Sequence, residues 1–235
     1  MKISLIIPAY NEEKRLKPFL TSLAHFFPHY QSNLAEIIVV DDGSTDDTSQ
    51  VANDFKKNLP ILHVIKLEKN QGKGAAVRKG VMAATGDYLV FMDADGATDS
   101  SELPKMISAF QHAPIAIGNR WMKGAVTDRH SFFRKMAGWV YRTYLRLFGL
   151  GTIDTMCGFK GYRKDIAQSL FKNLQEERWL FDTEIAYKAV RHGYQIYNFP
   201  IQWESKDGSK LSPTDLIKSA WQIWPLIQRL KKEKP

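Results

Sequence analysis

The sequence has one cysteine, no long apolar run, no internal repeat and no low-complexity stretch. A lone Cys157 cannot form an internal disulfide, which fits a reducing compartment. The opening residues, MKISLIIPAYNEE, have too short an apolar run for a signal peptide and turn acidic at once. Because apolar residues nowhere continue for the roughly 18 positions that a bilayer requires, we expect no membrane-spanning helix and at most a peripheral membrane role.

Acidic residues are outnumbered by basic ones, 25 to 33, so the chain carries a formal net charge of +8. Such a surplus indicates an anionic partner, either nucleic acid, anionic lipid or a phosphorylated substrate, although a basic solvated surface is the alternative. The hydrophobic content of 44% is enough for a full core and excludes a disordered chain. Since no linker is long enough to divide the chain, residues 1–235 are predicted to form a single domain.

Short β-rich runs alternate with helical patterns in the first half of the chain. The runs lack polar alternation, as is typical of strands that are buried on both faces of a sheet. This alternation predicts βαβ units, that is, an α/β fold with a mostly parallel sheet and helices on both faces. The predicted strands cover residues 3–7, 36–40, 61–65 and 88–92, and the predicted helices cover residues 12–27, 46–58 and 72–84.

A polar cluster follows each of the four predicted strands. Open parallel sheets bind ligands beyond the carboxyl ends of their strands, so we expect these clusters to line one edge. The layout is typical of a nucleotide site. The clusters begin at Pro8, Asp41, Lys69 and Asp93.

Asp93 and Asp95 are separated by one alanine and directly follow the apolar run YLVFM. Gly96 permits the chain to turn there, after which both carboxylates can meet one divalent cation, Mg²⁺ or Mn²⁺. Such a cation neutralises the charge that builds up on a departing diphosphate. The alternative is a solvated turn in which Asp95 caps the next helix.

Asp41 and Asp42 end another buried run. A carboxylate that points inward from a buried strand is costly unless it has a partner, and the base or ribose of a nucleotide would supply hydrogen-bond donors. A plain turn followed by a helix cap from Ser44 or Asp46 would account for the same residues.

Two stretches of the second half predict basic amphipathic helices that could lie on an anionic membrane surface, although such stripes usually pack in a core. In the second stretch Pro225 is expected to kink or interrupt the helix. Over residues 129–150 the apolar stripe contains Phe133, Met136, Ala137, Val140, Tyr144 and Leu147, and Lys135, Arg142 and Arg146 lie away from it. From Pro213 to about Lys232 the apolar positions are Ile217, Trp221, Trp224 and Leu230.

Three other classes of protein fit these motifs less well. Haloacid-dehalogenase phosphatases also end a strand with DxDGT, but that motif normally sits on the first strand, whereas three strands precede Asp93 here. Dinucleotide oxidoreductases need GxGxxG after the first strand, where this chain has PAYNEE. A basic nucleic-acid-binding module leaves the acidic strand ends unexplained, because carboxylates repel polyanions, and we expect no nucleic-acid partner.

Together the motifs resemble inverting glycosyltransferases of family 2, which have a GT-A fold, a Rossmann-like domain that binds nucleotide sugars. The motifs of the first half are IPAYNE at 7–12, VDDGSTD at 40–46 and DAD at 93–95. The second half resembles dolichyl-phosphate β-glucosyltransferases, through GNR at 118–120, DTMCGFK at 154–160, RWLFDTE at 178–184 and GSKL at 208–211.

The resemblance implies a role for each matching residue, and it implies a nucleotide-sugar-binding half at 1–118, an acceptor-binding half at 119–211 and an amphipathic basic tail at 212–235. The implied catalytic residues are Asp93, Asp95, Asp182 and Glu184, of which Asp93 and Asp95 hold the metal. The implied donor-binding residues are Pro8, Ala9, Tyr10, Glu12, Asp41, Asp42, Lys73, Asp93 and Ala94. The implied acceptor-phosphate ligands are Arg120, Arg134 and Lys210.

The activity that the resemblance implies is inverting transfer of a hexose to a polyprenyl or dolichyl phosphate. UDP-glucose is the favoured donor, and the expected location is the cytoplasmic face of a membrane, with the protein bound peripherally and an integral-membrane partner left open. A glycosyltransferase of the same fold with a saccharide acceptor is the nearest alternative. A neutral hydroxyl acceptor would not need Arg134 and Lys210, which separates the two hypotheses.

Overall fold

The computed structural model describes residues 1–128, 132–206 and 213–232, with side chains described outside residues 132–135, 137 and 213–220. Over these ranges the chain forms one large sheet with helices on both faces and one small sheet. The strands are β1 (Ile3–Ala9), β2 (Leu34–Asp41), β3 (Leu62–Lys66), β4 (Tyr88–Met92), β5 (Ile115–Asn119), β6 (Val126–Asp128), β7 (Phe159–Arg163), β8 (Ile196–Pro200) and β9 (Gln202–Glu204).

The helices of the described ranges include the three that the sequence predicts in the first half. They are α1 (Glu13–Tyr30), α2 (Thr48–Asp54), α3 (Lys73–Ala83), α4 (Leu103–Ala109), α5 (Phe132–Leu145), α6 (Lys164–Lys172), α7 (Phe181–Arg191) and α8 (Pro213–Lys232). Short 3₁₀ turns cover Phe55–Lys57, Ser100–Glu102 and Arg146–Phe148. The four predicted strands correspond to β1 through β4, so the first half of the prediction is confirmed.

The large sheet has the strand order β3-β2-β1-β4-β7-β5-β8 in the described chain. Strands β1 to β4 pair in parallel, as do β5 and β8, whereas β7 runs antiparallel to both of its neighbours, β4 and β5. The sheet is therefore mostly parallel, as predicted. Because β7 comes from the second half of the sequence and lies between β4 and β5 of the first half, the boundary at residue 118 does not separate two folding units.

A hydrophobic core lies on each face of the sheet. Helices α1, α2 and α4 cover one face, where Leu16, Leu20 and Leu103 are buried. Helices α3, α5, α6, α7 and α8 cover the other face, where Val77 and Phe171 are buried. Burial of both faces explains why the strand sequences are apolar throughout rather than alternating. The predicted fold class, an α/β fold with a mostly parallel sheet and helices on both faces, is confirmed.

Helix α8 differs from the expected apolar face of the C-terminal segment. Ile223, Leu226 and Leu230 belong to the core beside α7, so residues 221–232 pack on the domain. Trp221 (80% exposed) and Trp224 (57% exposed) lie on the opposite side, away from Leu230, because the core contacts follow the helical repeat from Ile223. The helix is not interrupted at Pro225, which lies on the exposed side, where water can hydrogen-bond the carbonyl that a proline leaves unpaired. A kink at Pro225, the other expected outcome, stays a prediction.

Among the described side chains of the predicted stripe on α5 and the turn after it, Val140 and Leu147 are exposed, Leu147 to 77%, while Tyr144 packs against the core. Tyr141 and Leu145, which lie off that stripe, are buried in the core. In the ranges that the structure describes, no helix combines the length and apolar character needed to cross a bilayer.

Candidate active site

The carboxyl ends of β1, β2 and β4 meet at one edge of the sheet, as the strand order requires. Ala9 at the end of β1 accepts a backbone hydrogen bond from Asp42 (2.8 Å), and Asp93 after β4 donates one to Gly158 (3.1 Å). Helix α3 begins at the same edge with Lys73. The polar clusters of the sequence are therefore brought together, as predicted from the fold rule for open sheets.

The turn after β1 is held by its own side chains. Asn11 adopts a left-handed backbone conformation (φ 50°), its amide donates to Ser44 Oγ (2.9 Å), and its Oδ1 accepts from the Thr45 amide (2.9 Å). The buried Glu12 accepts a bidentate pair of hydrogen bonds from Arg15 at 2.6 and 2.5 Å. Of the other donor-site candidates on this strand, Pro8 and Ala9 are buried within β1, and Tyr10 is half-buried at its end.

The Asp41 carboxylate is fully buried, yet its hydrogen bonds come from the protein itself. Oδ1 accepts from the Ser44 amide (2.8 Å), and Oδ2 accepts from the Ser49 hydroxyl. The first turn of α2 and the loop before it therefore supply donors to Asp41, as expected for a turn followed by a helix cap, and a contact of Asp41 with a nucleotide stays a prediction.

Asp42 holds the loop that leads into α3. Its carboxylate accepts from the amides of Gln71 and Gly72, both at 2.8 Å, and from Asn70 Nδ2 at 2.9 Å. These contacts place Asp42 as a support for the loop rather than as a group directed at a nucleotide. The loop in turn delivers Lys73, the first residue of α3, to the sheet edge.

Asp93 and Asp95 form the acidic centre of the edge, and two cations face them. Lys73 Nζ lies 2.6 Å from Asp93 Oδ1, and the Arg15 guanidinium interacts electrostatically with both carboxylates. Burial and the neighbouring Asp93 raise the pKa of Asp95 above its ordinary value. Gly96 (φ 69°) makes the predicted turn, and the Ala97 amide donates to Asp95 Oδ1 (3.0 Å).

This pair of carboxylates fits a hard divalent cation. The like charges of Asp93 and Asp95 repel each other, which a bound Mg²⁺ or Mn²⁺ would relieve. No group of three or more His, Cys, Asp or Glu side chains suited to a metal occurs in residues 1–128, 132–206 and 213–232. The remaining ligands would therefore be water and substrate oxygens, which is how Mg²⁺ is usually held.

Gly158 shapes the site by allowing Asp93 to approach the backbone. A Cβ atom on residue 158 would lie 2.0 Å from Asp93 Oδ2, well inside contact distance. A larger residue at position 158 would therefore displace the Asp93 carboxylate from where it lies. The sequence motif DTMCGFK contains this glycine, but nothing in the sequence shows what it touches.

Asp182, at the start of α7, forms an ion pair with Lys160, for which the sequence predicts no role. Lys160 of β7 lies 2.9 Å from Asp182 Oδ1, and the two side chains are 1% and 7% exposed. The Lys160 ammonium also donates to the carbonyls of Thr155 (3.3 Å) and Cys157 (2.5 Å). Burial raises the pKa of Asp182, while Lys160 and Lys73 counteract the rise. This ion pair links α7 to β7 and, through Lys73, to the acidic centre.

Glu184 has a structural role, in contrast to the catalytic role implied for it. Its carboxylate is 0% exposed and accepts from the amides of Gln175 (3.0 Å) and Glu176 (2.8 Å) and from Lys188 (2.5 Å). A group so enclosed and so fully hydrogen-bonded cannot reach a substrate. It anchors the loop between α6 and α7.

Arg120, the first of the acceptor-phosphate candidates, follows β5 and is locked by Asp154. Its Nε and Nη2 donate to the two carboxylate oxygens at 2.8 and 2.9 Å, and its amide donates to Asp154 Oδ2 (3.1 Å). Burial alone would lower the pKa of Arg120, but Asp154 raises it above its ordinary value. Arg134 lies on α5 with a side chain outside the described set, and Lys210 lies outside the described residues.

Comparison with known proteins gives a family for this site. Residues 4–171 match the family described as Glycosyl transferase family 2. The dolichyl-phosphate beta-glucosyltransferase of Saccharomyces cerevisiae is 36% identical over 239 residues, which cover 93% of this chain and 72% of that protein. The human protein of the same name is 37% identical over 230 residues, covering 90% and 70% of the two chains.

Solved structures show the same fold at lower identity. Glucosyl-3-phosphoglycerate synthase from Mycobacterium tuberculosis, in complex with Mn²⁺, UDP and phosphoglyceric acid, superimposes with a TM-score of 0.74 and 17% identity, over 100% of this chain and 80% of that one. TarS 1–349 of S. aureus, in complex with UDP-GlcNAc, has a TM-score of 0.61 and 22% identity, over 97% and 66%. The chain belongs to glycosyl transferase family 2 and, within it, to the dolichyl-phosphate beta-glucosyltransferases.

Proposed function

We propose that this protein transfers glucose from UDP-glucose to a polyprenyl phosphate with inversion at the anomeric carbon. The observation that carries the proposal is a partly buried arginine near an acidic edge: Arg120 pairs with Asp154, and the loop that begins at Asp154 reaches Gly158, which accepts the backbone hydrogen bond of Asp93. The acidic edge suits a donor diphosphate with its metal, and Arg120 suits an acceptor phosphate. The activity named for the relatives, on dolichyl phosphate, supports the acceptor, and the UDP complexes of the fold neighbours support the donor.

For the donor diphosphate, we propose that Asp93 and Asp95 hold Mg²⁺ or Mn²⁺. When bound, the metal supplies positive charge that stabilises the departing diphosphate. Lys73 provides a second cation at the same edge, 2.6 Å from Asp93. Tyr10, at the end of β1, and the backbone of the loop that Asp41 holds are the proposed contacts of the nucleoside.

The acceptor half needs no strong general base. A phosphate monoester is already an anion near neutral pH, so one of its oxygens can attack the anomeric carbon while the bond from that carbon to the UDP oxygen breaks. No proton has to be moved, and UDP leaves with the electron pair. Asp182 suits this scheme, because its ion pair with Lys160 keeps it as a fixed charge that positions β7 and α7. Arg120, Arg134 and Lys210 are the proposed phosphate ligands.

The assay follows radiolabelled glucose from UDP-glucose into the organic phase in the presence of a short polyprenyl phosphate. We expect a β-linked glucosyl phosphate lipid, because direct attack inverts an α-linked donor. GDP-mannose in place of UDP-glucose, and a neutral saccharide in place of the lipid phosphate, are the controls. A better rate with either control would refute that part of the proposal.

We also propose a peripheral position at the cytoplasmic face of a membrane, and an exposed apolar surface supports the contact with the membrane. Leu147, Trp221 and Trp224 are exposed at the junction of α5 and α8, where the rings of Phe148 and Trp224 meet (6.1 Å between centroids). Aromatic side chains beside basic residues favour the interface of an anionic bilayer.

Replacement of both Leu147 and Trp221 by serine is expected to weaken binding to anionic liposomes about tenfold or more, because both side chains leave the bilayer interface. The matched control is Val126→Ser, which removes an apolar side chain that is 64% exposed on β6. Sedimentation with liposomes measures the binding. Equal binding by the double variant and the control would show that this surface does not face the membrane.

A further inference from the structure

A small cavity of about 30 Å³ lies between α5, the residues that follow β5 and the loop that precedes β7. Arg120 and Trp121 line one side, Tyr141 and Arg142 of α5 line the second, and Thr155 lies on the third. The sequence places Arg142 only on the basic side of an amphipathic helix. In the structure it instead borders the same cavity as Arg120.

The charges around this cavity do not balance. Its lining contains two arginines and one aspartate, Asp154, which gives a net charge of +1. Asp154 is occupied by the bidentate pair with Arg120. Among the described residues Arg142 has no carboxylate partner. Its Nε donates instead to the Gly151 carbonyl (3.2 Å). Two guanidinium groups that share a small cavity repel each other, so an anion between them would be stabilising.

Arg142 is held in place rather than free to move away. The hydrogen bond to Gly151 fixes its Nε, and its guanidinium lies 5.8 Å from the centroid of the Trp121 ring. Stacking on an aromatic ring and a fixed Nε leave the terminal nitrogens of a guanidinium for a further acceptor. Thr155 Oγ1 is buried in the same wall and makes no hydrogen bond of normal geometry within the described chain. It is therefore a further donor for a bound anion.

The cavity is joined to the acidic edge by a short piece of chain. Thr155 and Cys157 accept hydrogen bonds from Lys160, and Gly158 accepts one from the Asp93 amide. The same loop thus forms a wall of the cavity and touches the residue proposed to bind the metal. An anion at the mouth of the cavity would therefore be linked through this loop to the acidic edge.

We infer that Arg142 is a second guanidinium anchor, with Arg120, for the phosphate of the acceptor, an inference that rests on the proposed function. The cavity is only large enough for a few water-sized groups and is open on one side, so a phosphoryl oxygen can enter it while the rest of the phosphate stays at the mouth. The isoprenoid chain then leads away from the cavity towards the surface formed by α5 and α8. Arg142 is in this way a positioning residue for the acceptor, and membrane attraction is not its role.

The test compares Arg142→Gln with Arg146→Gln. Both changes remove one positive charge from neighbouring turns, but Arg146 is exposed and does not line the cavity. The acceptor is citronellyl phosphate, which is short enough to be used without a membrane. Arg142→Gln is expected to raise the KM for citronellyl phosphate about tenfold or more, the loss that follows removal of a charged hydrogen bond. The affinity for UDP should stay within about twofold, and Arg146→Gln should behave as the wild type.

Direct binding separates this inference from the proposed function. Isothermal titration of citronellyl phosphate into the protein without donor should show weaker binding for Arg142→Gln, with an intermediate effect for Arg142→Lys, which keeps the charge but not the fork. Thermal unfolding confirms that each variant is folded. Transfer by the wild type with unchanged acceptor binding in Arg142→Gln, or equal effects of Arg142→Gln and Arg146→Gln, would overturn the inference alone. Binding that depends on Arg142 without any transfer would support the anion site and overturn the proposed function.

Discussion

Replacement of Lys160 by methionine is expected to destabilise the protein strongly. The Lys160 ammonium is buried between Asp182 and the carbonyls of Thr155 and Cys157. Methionine has a similar length but neither charge nor donor, so the variant leaves a buried carboxylate and two carbonyls without their common partner. Buried polar groups that lose a partner carry the full cost of having left water.

The magnitude follows from the 2.9 Å separation of Lys160 Nζ and Asp182 Oδ1. Two unit charges at that distance attract each other by about 6 kcal/mol at an effective dielectric constant of about 20. Part of this is recovered when Asp182 takes up a proton, and removal of one partner from a buried pair costs about 3–5 kcal/mol. We therefore expect the free energy of unfolding to fall by about 3–5 kcal/mol at pH 8.

The loss should depend on pH. Burial already raises the pKa of Asp182, Lys160 counteracts that rise, and the variant raises the pKa further. A carboxyl group whose pKa is higher in the folded than in the unfolded state is destabilising above the folded pKa. That penalty declines as the pH falls towards the unfolded value of about 3.9. Lys160→Met should therefore lose less stability at pH 5 than at pH 8.

Urea unfolding, followed by tryptophan fluorescence at both pH values, measures these changes. Adding Asp182→Asn to Lys160→Met should recover part of the loss, because the second change removes the unpaired charge. Arg163→Met is the control, since its ion pair with Asp165 (2.7 Å) is exposed and should contribute little. A loss below about 1 kcal/mol, or an equal loss at pH 5 and pH 8, would refute the buried-pair argument.

Two further predictions concern the acidic centre. Gly158→Ala should displace Asp93, because the added Cβ would lie 2.0 Å from its Oδ2, and lower kcat at least tenfold in the lipid-extraction assay while the protein stays folded. Asp95→Asn should abolish transfer, as excess EDTA should, and yet raise the melting temperature at pH 7, because it removes a carboxylate whose pKa is raised by burial and by Asp93. The gain in stability should shrink at pH 4, and full activity of Asp95→Asn would contradict the metal assignment.

The parts of the fold that depend on local sequence patterns can be predicted from the sequence. Strands β1 to β4 are apolar runs, and their polar ends fall at one edge because consecutive parallel strands must end there. The antiparallel β7 could not be predicted in the same way, because its sequence, FKGYR, contains two cations and a glycine and is short. Its place between β4 and β5 is decided by packing partners that are distant in the chain.

The candidate site shows the same division between local and distant information. The acidic pair Asp93 and Asp95 is visible in the sequence because its residues lie only two positions apart. The partners that define the other site residues are not: Lys160 for Asp182 and Asp154 for Arg120 lie in different elements. The orientation of a helix on the core is also not given by the sequence. Both faces of α8 carry large apolar residues, so the sequence alone cannot say which face meets the core.

The late arrival of β7 in the chain has a consequence for biogenesis. A nascent chain that has been synthesised as far as β5 already holds β1 to β4, which pair with one another, but β4 then has an open edge. That edge carries the unpaired amides and carbonyls of Tyr88–Met92, a short apolar segment of the kind that joins with other chains. The open edge of β4 is covered only after Phe159–Arg163 has been synthesised. This segment then forms β7, which pairs with β4 on one side and with β5 on the other. In the interval between these two events β4 offers an unpaired strand edge, which is the kind of surface through which partly folded chains aggregate.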